Sequence, residues 1–195
     1  MALPNHATQT DPYLHEPKGV STASSGEVYI ADGLGSGAWG DVGLVAGSVI
    51  GSSSTLATSV ITGSTVMPFD NTIPQNTEGV ECITGSITPS SEFSVIDVDV
   101  SLISSLSVTG HVSVALFQGG VTGAVAASSS VIGFANSVCT IPLSYEMVAG
   151  TTSALTFSVR AGGSTAGTIT INGSGGTGLF GGVATSVLRI KEIKV

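Results

Sequence analysis

Apolar and polar positions alternate along most of the last two-thirds of the chain, with the two-residue period of a strand. Ile96-Asp97-Val98-Asp99-Val100-Ser101-Leu102 alternates strictly, which predicts Ile96, Val98, Val100 and Leu102 on one face and both carboxylates on the other. His111 to Gln118 repeats the pattern with Val112, Val114 and Leu116 inward. Further strands are expected over Val80 to Thr88, Ala124 to Phe134, Val138 to Leu143, Leu155 to Val159, Thr168 to Ile171 and Val183 to Ile193, each bounded by Gly, Ser or Asn. No segment carries a convincing 3.6-residue period, which argues against a βαβ fold. About eight short strands over roughly 130 residues predict an all-β protein, an antiparallel sandwich of two sheets. A domain of that size buries around two-thirds of its unfolded surface, enough for one core.

Ahead of these strands lies Met67 to Gly79, MPFDNTIPQNTEG. Pro68 and Pro74 fix φ and remove two donors, and Asp70, Asn71, Asn76 and Gly79 supply turn chemistry, so an ordered loop is expected there. Val42 to Val66 alternates small apolar and hydroxyl residues and reads as one or two strands or a linker, with Gly51-Ser52-Ser53-Ser54 as the break. Met1 to Gly26 holds Pro4, Pro12 and Pro17 and almost no periodic apolar pattern, so it should be extended. Val28 to Ala31 is a short strand, followed by a Gly-rich turn and Trp39, the one tryptophan. The expected division is therefore 1–45 as an extended arm with a short β segment, 46–66 as linker or strand, and 67–195 as the sandwich. Such an arm cannot offset its own ordering entropy and needs a surface. Tyr13, Leu14, Tyr29 and Trp39 are its apolar anchors, with His15, Glu16 and Lys18 as polar contacts beside the rigid Pro17. The competing expectation is that Tyr29 and Trp39 pack back on their own β domain.

Composition narrows the function classes. Only 9% of the 195 residues are charged against 42% hydrophobic, so the outer strand faces must be Ser, Thr and Ala. A surface that mild is expected to be covered between copies of the chain. Five basic against 13 acidic residues, a net charge of −8, leave no basic stripe for nucleic acid. The N-terminus has neither a basic nor an apolar leader region, and no stretch is apolar enough for a bilayer helix, so neither a signal peptide nor a membrane partner is expected. Cys82 and Cys139 are expected as buried thiols in strands. His6, His15 and His111 show no metal-ligand spacing and no GxSxG elbow is present, so no cofactor, metal or enzymatic activity is expected. Asp97 and Asp99 are expected as a solvent-facing pair that discourages edge pairing. Gly173-Ser174-Gly175-Gly176-Thr177-Gly178 matches GxGxxG in form, yet LFGGV rather than a helix follows, so it predicts a glycine hairpin and no dinucleotide site. Asn172-Gly173-Ser174 matches a glycosylation sequon that should stay unmodified.

MPFDNTIPQNTEG, together with LFGGV at Leu179 to Val183 and the final apolar strand, resembles the terminal β-sandwich of tailed-bacteriophage virion proteins. Those domains look like trimeric TNF-type jelly rolls in head decorations and fibres. His15-Glu16-Pro17-Lys18-Gly19, followed by Glu27-Val28-Tyr29-Ile30-Ala31 and the turn ending at Trp39, resembles a segment near the N-termini of phage structural proteins. The resemblance implies a jelly roll and a homotrimer. It further implies a capsid decoration, or cement, protein that is made in the host cytoplasm and sits on the virion head, with the major capsid protein as partner. Tyr13, Leu14, His15, Glu16, Pro17, Lys18, Tyr29 and Trp39 would then form the capsid-binding arm, and LFGG a bend near a threefold axis or a ligand-free tip. The alternative it allows is a receptor-binding tip of a tail or head fibre, with a host surface glycan as partner. A short arm without a stalk favours decoration over fibre.

Overall fold

The computed structural model describes residues 27–31, 37–41 and 43–195, and no α-helix occurs among them. The strands are β1 (Glu27–Ala31), β2 (Gly37–Asp41), β3 (Val49–Ala57), β4 (Ile61–Gly63), β5 (Val80–Ile87), β6 (Val95–Leu106), β7 (Gly110–Gln118), β8 (Ala126–Ile132), β9 (Val138–Val148), β10 (Leu155–Gly163), β11 (Ile169–Ile171), β12 (Gly173–Ser174), β13 (Thr177–Gly178) and β14 (Ser186–Ile193). The chain divides into two compact units, Met1–Val45 and Ala46–Val195. Within the first unit, β1 and β2 form an antiparallel hairpin that sets Tyr29 directly across from Trp39.

The second unit is an antiparallel β-sandwich. One sheet runs β9-β6-β14-β3, and the other β5-β10-β7-β8. Pairing proceeds from the outside of the chain inward: β3 with β14, β5 with β10, β6 with β9 and β7 with β8, all antiparallel. Four strand pairs of one long hairpin thus alternate between two sheets, which is jelly-roll order. The short strands lengthen the first sheet. β14 pairs with residues 95–101 of β6 and β11 with residues 104–106 on the same side, while β4 pairs with β11.

Alternation builds the core. Ile96, Val98, Val100 and Leu102 of β6 point inward with Leu188 and Ile190 of β14, against Val112, Val114 and Leu116 of β7 and Phe157 and Val159 of β10. Each such side chain contributes about 1.5–3 kcal/mol on burial. No helix among the described residues is long and apolar enough to cross a membrane.

Two expectations are corrected. The sandwich unit begins at Ala46 rather than Met67, because β3 zips along the whole of β14 and runs straight through Gly51–Ser54; the break falls at residues 58–60 instead. The inward side of β3 is small for a reason: a Cβ at Gly85 of β5 would meet Thr55 Oγ1 at 2.9 Å, so close sheet contact replaces bulk there. The second correction concerns Asp97 and Asp99. β6 lies between β9 and β14 and has no edge to guard; the two carboxylates instead clamp Lys191 Nζ at 2.9 and 3.0 Å.

Candidate functional site

Between β4 and β5 the chain runs as a strap across the outer face of β7. Since Val112, Val114 and Leu116 point inward, the neighbouring Ala115 and Phe117 point outward, and the fully buried Met67 packs on them in a second small cluster. The strap is pinned along its length. Met67 N–H donates to Gly163 O at 3.0 Å, Ala124 N–H to Pro74 O at 2.9 Å and Asn76 N–H to Thr122 O at 2.8 Å. At its far end Arg160 Nε and Nη2 donate to the carbonyls of Glu78 and Gly79, both at 2.8 Å, while Gly79 turns at φ 61. Two prolines keep this segment out of the sheet, and its carbonyls find donors elsewhere, as buried backbone must.

Midway along the strap a tight turn presents side chains outward. Asp70 Oδ1 accepts the Thr72 N–H at 2.8 Å and the Thr72 hydroxyl at 2.5 Å, and these bonds hold its carboxyl below the usual carboxylate range. Phe69 stacks on His111 of β7, with centroids 3.9 Å apart and planes 6° from parallel. Between this turn and the outer face of β7 and β8 lies a groove of about 330 Å³, whose lining includes Phe69, Asp70, Thr72, Ser113 and Ser129. Ser113 and Ser129 face each other across the β7–β8 register. Little of Ser113 is exposed, and its hydroxyl, open to the groove, makes no hydrogen bond among the described residues.

Of the residues expected in the attachment arm, Tyr13, Leu14, His15, Glu16, Pro17 and Lys18 lie outside the described residues. Tyr29 and Trp39 are brought together: their rings meet edge to face at 5.5 Å and 68°, so each is the other's packing partner within the hairpin. On the opposite face of β1, Val28 and Ile30 are exposed.

The remaining motifs resolve as structure. Gly173–Gly178 forms the β12–β13 hairpin, with Gly175 and Gly176 at φ 57 and 83 and the Gly176 N–H on Thr170 Oγ1. Asn172, itself at φ 57, gives its amide to Ala57 O and Ser59 O at 2.7 and 3.0 Å and accepts the Ser186 hydroxyl at 2.7 Å. The Ser186 oxygen in turn accepts the Ile103 N–H, so this network fills the joint where β11 gives way to β14 beside β6. With Asn172 buried and its amide committed, the sequon is closed in the folded protein. Lys191 neutralises Asp97 and Asp99; its hydrogen bonds draw the Asp99 carboxyl down, and the two carboxylates raise the lysine. Cys82 is buried in β5, and burial pushes its thiol up to about 12. Cys139 in β9 is half-buried, less enclosed than expected, with Sγ 3.5 Å from Ser104 Oγ.

Sequence reasoning identified the strap as an ordered loop but passed over Phe69, His111, Ser113 and Ser129 as a group. The available signal was an aromatic ring between two turn-forming residues, Pro68 and Asp70. No family model matches the chain, and no curated protein matches it.

Proposed function

We propose that the chain is a non-enzymatic structural component of a tailed-bacteriophage virion: a capsid decoration protein that binds the outer head surface as a homotrimer and contacts the major capsid protein. The sequence resemblance of Met67–Gly79 and Leu179–Val183 motivates the reading, and a chain that divides into a jelly-roll unit and an N-terminal unit is in keeping with it. The observation that carries it is an apolar, uncharged end of the sandwich. Phe134 is 80% and Phe180 77% exposed there, with Val183 beside them in the chain turn that starts β14. The two loops meet where Ser174 Oγ donates to Asn136 O. Phe180 also sits at φ 51, a conformation costing a non-glycine residue on the order of 1 kcal/mol. A strained turn that holds an aromatic ring in water is the arrangement of a contact surface. Covering two phenylalanines and a valine stabilises an assembly by roughly 5 kcal/mol per copy before the cost of association.

In this reading the arm is the attachment device, Tyr13 to Lys18 and the Tyr29–Trp39 hairpin with its exposed Val28 and Ile30 laying apolar area on the shell. Added area and hydrogen bonds hold the shell against internal pressure. The test is gold-labelled antiserum to the chain on particles of the phage whose genome encodes it, with light scattering of the purified protein. Gold over the heads and a trimer mass are expected. Gold at tail tips, or a concentration-independent monomer, would overturn the proposal.

A further inference from the structure

We infer that the groove between the strap and the β7–β8 face is a binding site for a neutral sugar ring, a role that stands independently of the virion assignment. Three observations converge. The first is a rigid aromatic surface. Phe69 follows Pro68, lies at 3.9 Å on His111 and still leaves 56% of itself exposed, so its ring is fixed without being covered. The apolar C–H face of a pyranose packs on such a ring, and little ordering entropy is lost because the ring is already held.

The second is the polar complement. Asp70 engages Thr72 through Oδ1, leaving Oδ2 without a partner among the described residues at the groove wall. Ser113 lines the groove, and its hydroxyl, which is not enclosed by the protein, makes no hydrogen bond among the described residues. Ser129 stands directly opposite it. A carboxylate that only accepts, beside hydroxyls that both donate and accept, matches the paired hydroxyls of a sugar, each of which does both. An apolar ligand would displace water from Ser113 and Asp70 without replacing its hydrogen bonds, and would bind more weakly for it.

The third is charge. No lysine or arginine is among the described residues that line the groove, and the hydrogen bonds from Thr72 favour the ionised form of the Asp70 carboxyl. An anionic ligand, whether phosphate, sulfate or an acidic sugar, would meet a like charge with no lysine or arginine among those lining residues to answer it. A groove of about 330 Å³ is at the small end of ligand sites, which fits a single ring at a chain end rather than a long oligosaccharide. The strap needs no closure to make the site, since Met67 and Arg160 already pin it on either side.

The test is saturation-transfer NMR on the full chain with the methyl glycosides of glucose, galactose, mannose and N-acetylglucosamine, and with N-acetylneuraminic acid as the anionic control. At least one neutral glycoside should give saturable transfer to its ring protons with a millimolar dissociation constant, a normal value for one ring in an open groove. Phe69→Ala should weaken that binding tenfold or more. Asp70→Asn, which keeps the size and the Thr72 turn, and Ser113→Ala, which removes one hydroxyl, should each weaken it at least fivefold with the wild-type melting temperature retained. The acidic sugar should bind at least tenfold less tightly. No saturable transfer from any neutral glycoside, affinity unchanged in Asp70→Asn and Ser113→Ala, or equal binding of the acidic sugar would each overturn the assignment.

Discussion

Replacing Glu192 by Gln will destabilise the sandwich by about 2 kcal/mol at neutral pH and by progressively less in acid. Glu192 shares the inward face of β14 with Leu188 and Ile190 and is only 2% exposed, so its carboxylate needs partners. The turn between β5 and β6 provides them: Oε1 accepts the Ser90 N–H at 2.8 Å, the Ser90 hydroxyl at 2.7 Å and the Ser91 N–H at 3.2 Å. Burial pushes this carboxyl up, but the bonds from Ser90, Ser94 and the backbone of Ser90 and Ser91 outweigh it and hold the group below its ordinary value. A hydrogen bond to a charged group contributes about 1 kcal/mol more than a neutral one, so three of them lose roughly 3 kcal/mol in Gln, part of which returns because a neutral amide is easier to bury. Ala leaves the donors unpaired and costs more, about 4 kcal/mol. Because the folded pKa is depressed, this stabilisation is fully present above the unfolded value of about 4.3 and disappears as pH falls through the folded one. Urea unfolding followed by far-ultraviolet circular dichroism should therefore show a constant gap between wild type and Glu192→Gln from pH 7 to about 5 that closes below about 4. A gap of equal size at pH 3 and pH 7, or none at pH 7, would refute the reasoning.

Three further outcomes are expected. Asn172→Ala removes two bonds to carbonyls and one from Ser186 and places Ala at positive φ, so it should cost about 3 kcal/mol by urea midpoint, whereas Ser174→Ala on the neighbouring hairpin should cost less than about 1 kcal/mol. Cys139 should react with a maleimide in the native protein at least tenfold faster than Cys82, whose buried thiol is held far from thiolate; equal rates on intact-mass analysis would contradict the burial assigned to β5. A chain beginning at Ala46 should melt within about 2 °C of the full chain's sandwich transition, while one beginning at Met67, which lacks β3 and β4, should fail to give a cooperative transition; cooperative melting of the shorter chain would show that β14 needs no partner on that side.

The strands that alternate large apolar with polar residues were legible, as Ile96 to Leu102 shows, because each inward position carries enough area to mark its face. β3 was not. Its inward positions include Ser53, Thr55 and Ala57, small side chains suited to close contact with β5, and smallness erases the contrast that periodicity needs. Strand lengths were understated for the same reason: Ser104 and Ser105 lie inside β6 and are buried, though nothing in their type says so. Glu192 left a usable signal, since the alternation that puts Arg189 and Lys191 outward puts Glu192 inward beside Ile190, and a carboxylate on a core face implies a donor cluster. The groove was legible only on one side. Pro68, Asp70 and Thr72 announce a turn, but the floor comes from Ser113 and Ser129, brought there by the pairing of β7 with β8 and by the anchors of Met67 and Arg160. A wall assembled from distant segments has no local period to read.

The adjacency of the sandwich's first and last strands has a topological consequence. Gly47 N–H donates to Lys194 O and Lys194 N–H to Ser48 O, so the polypeptide enters and leaves the jelly roll through one doorway. A domain with that geometry can be spliced into a surface loop of another protein without prising the loop apart. It can also be permuted, with residues 46 and 195 joined by a few glycines and new ends opened at the exposed Gly119–Gly120 turn between β7 and β8.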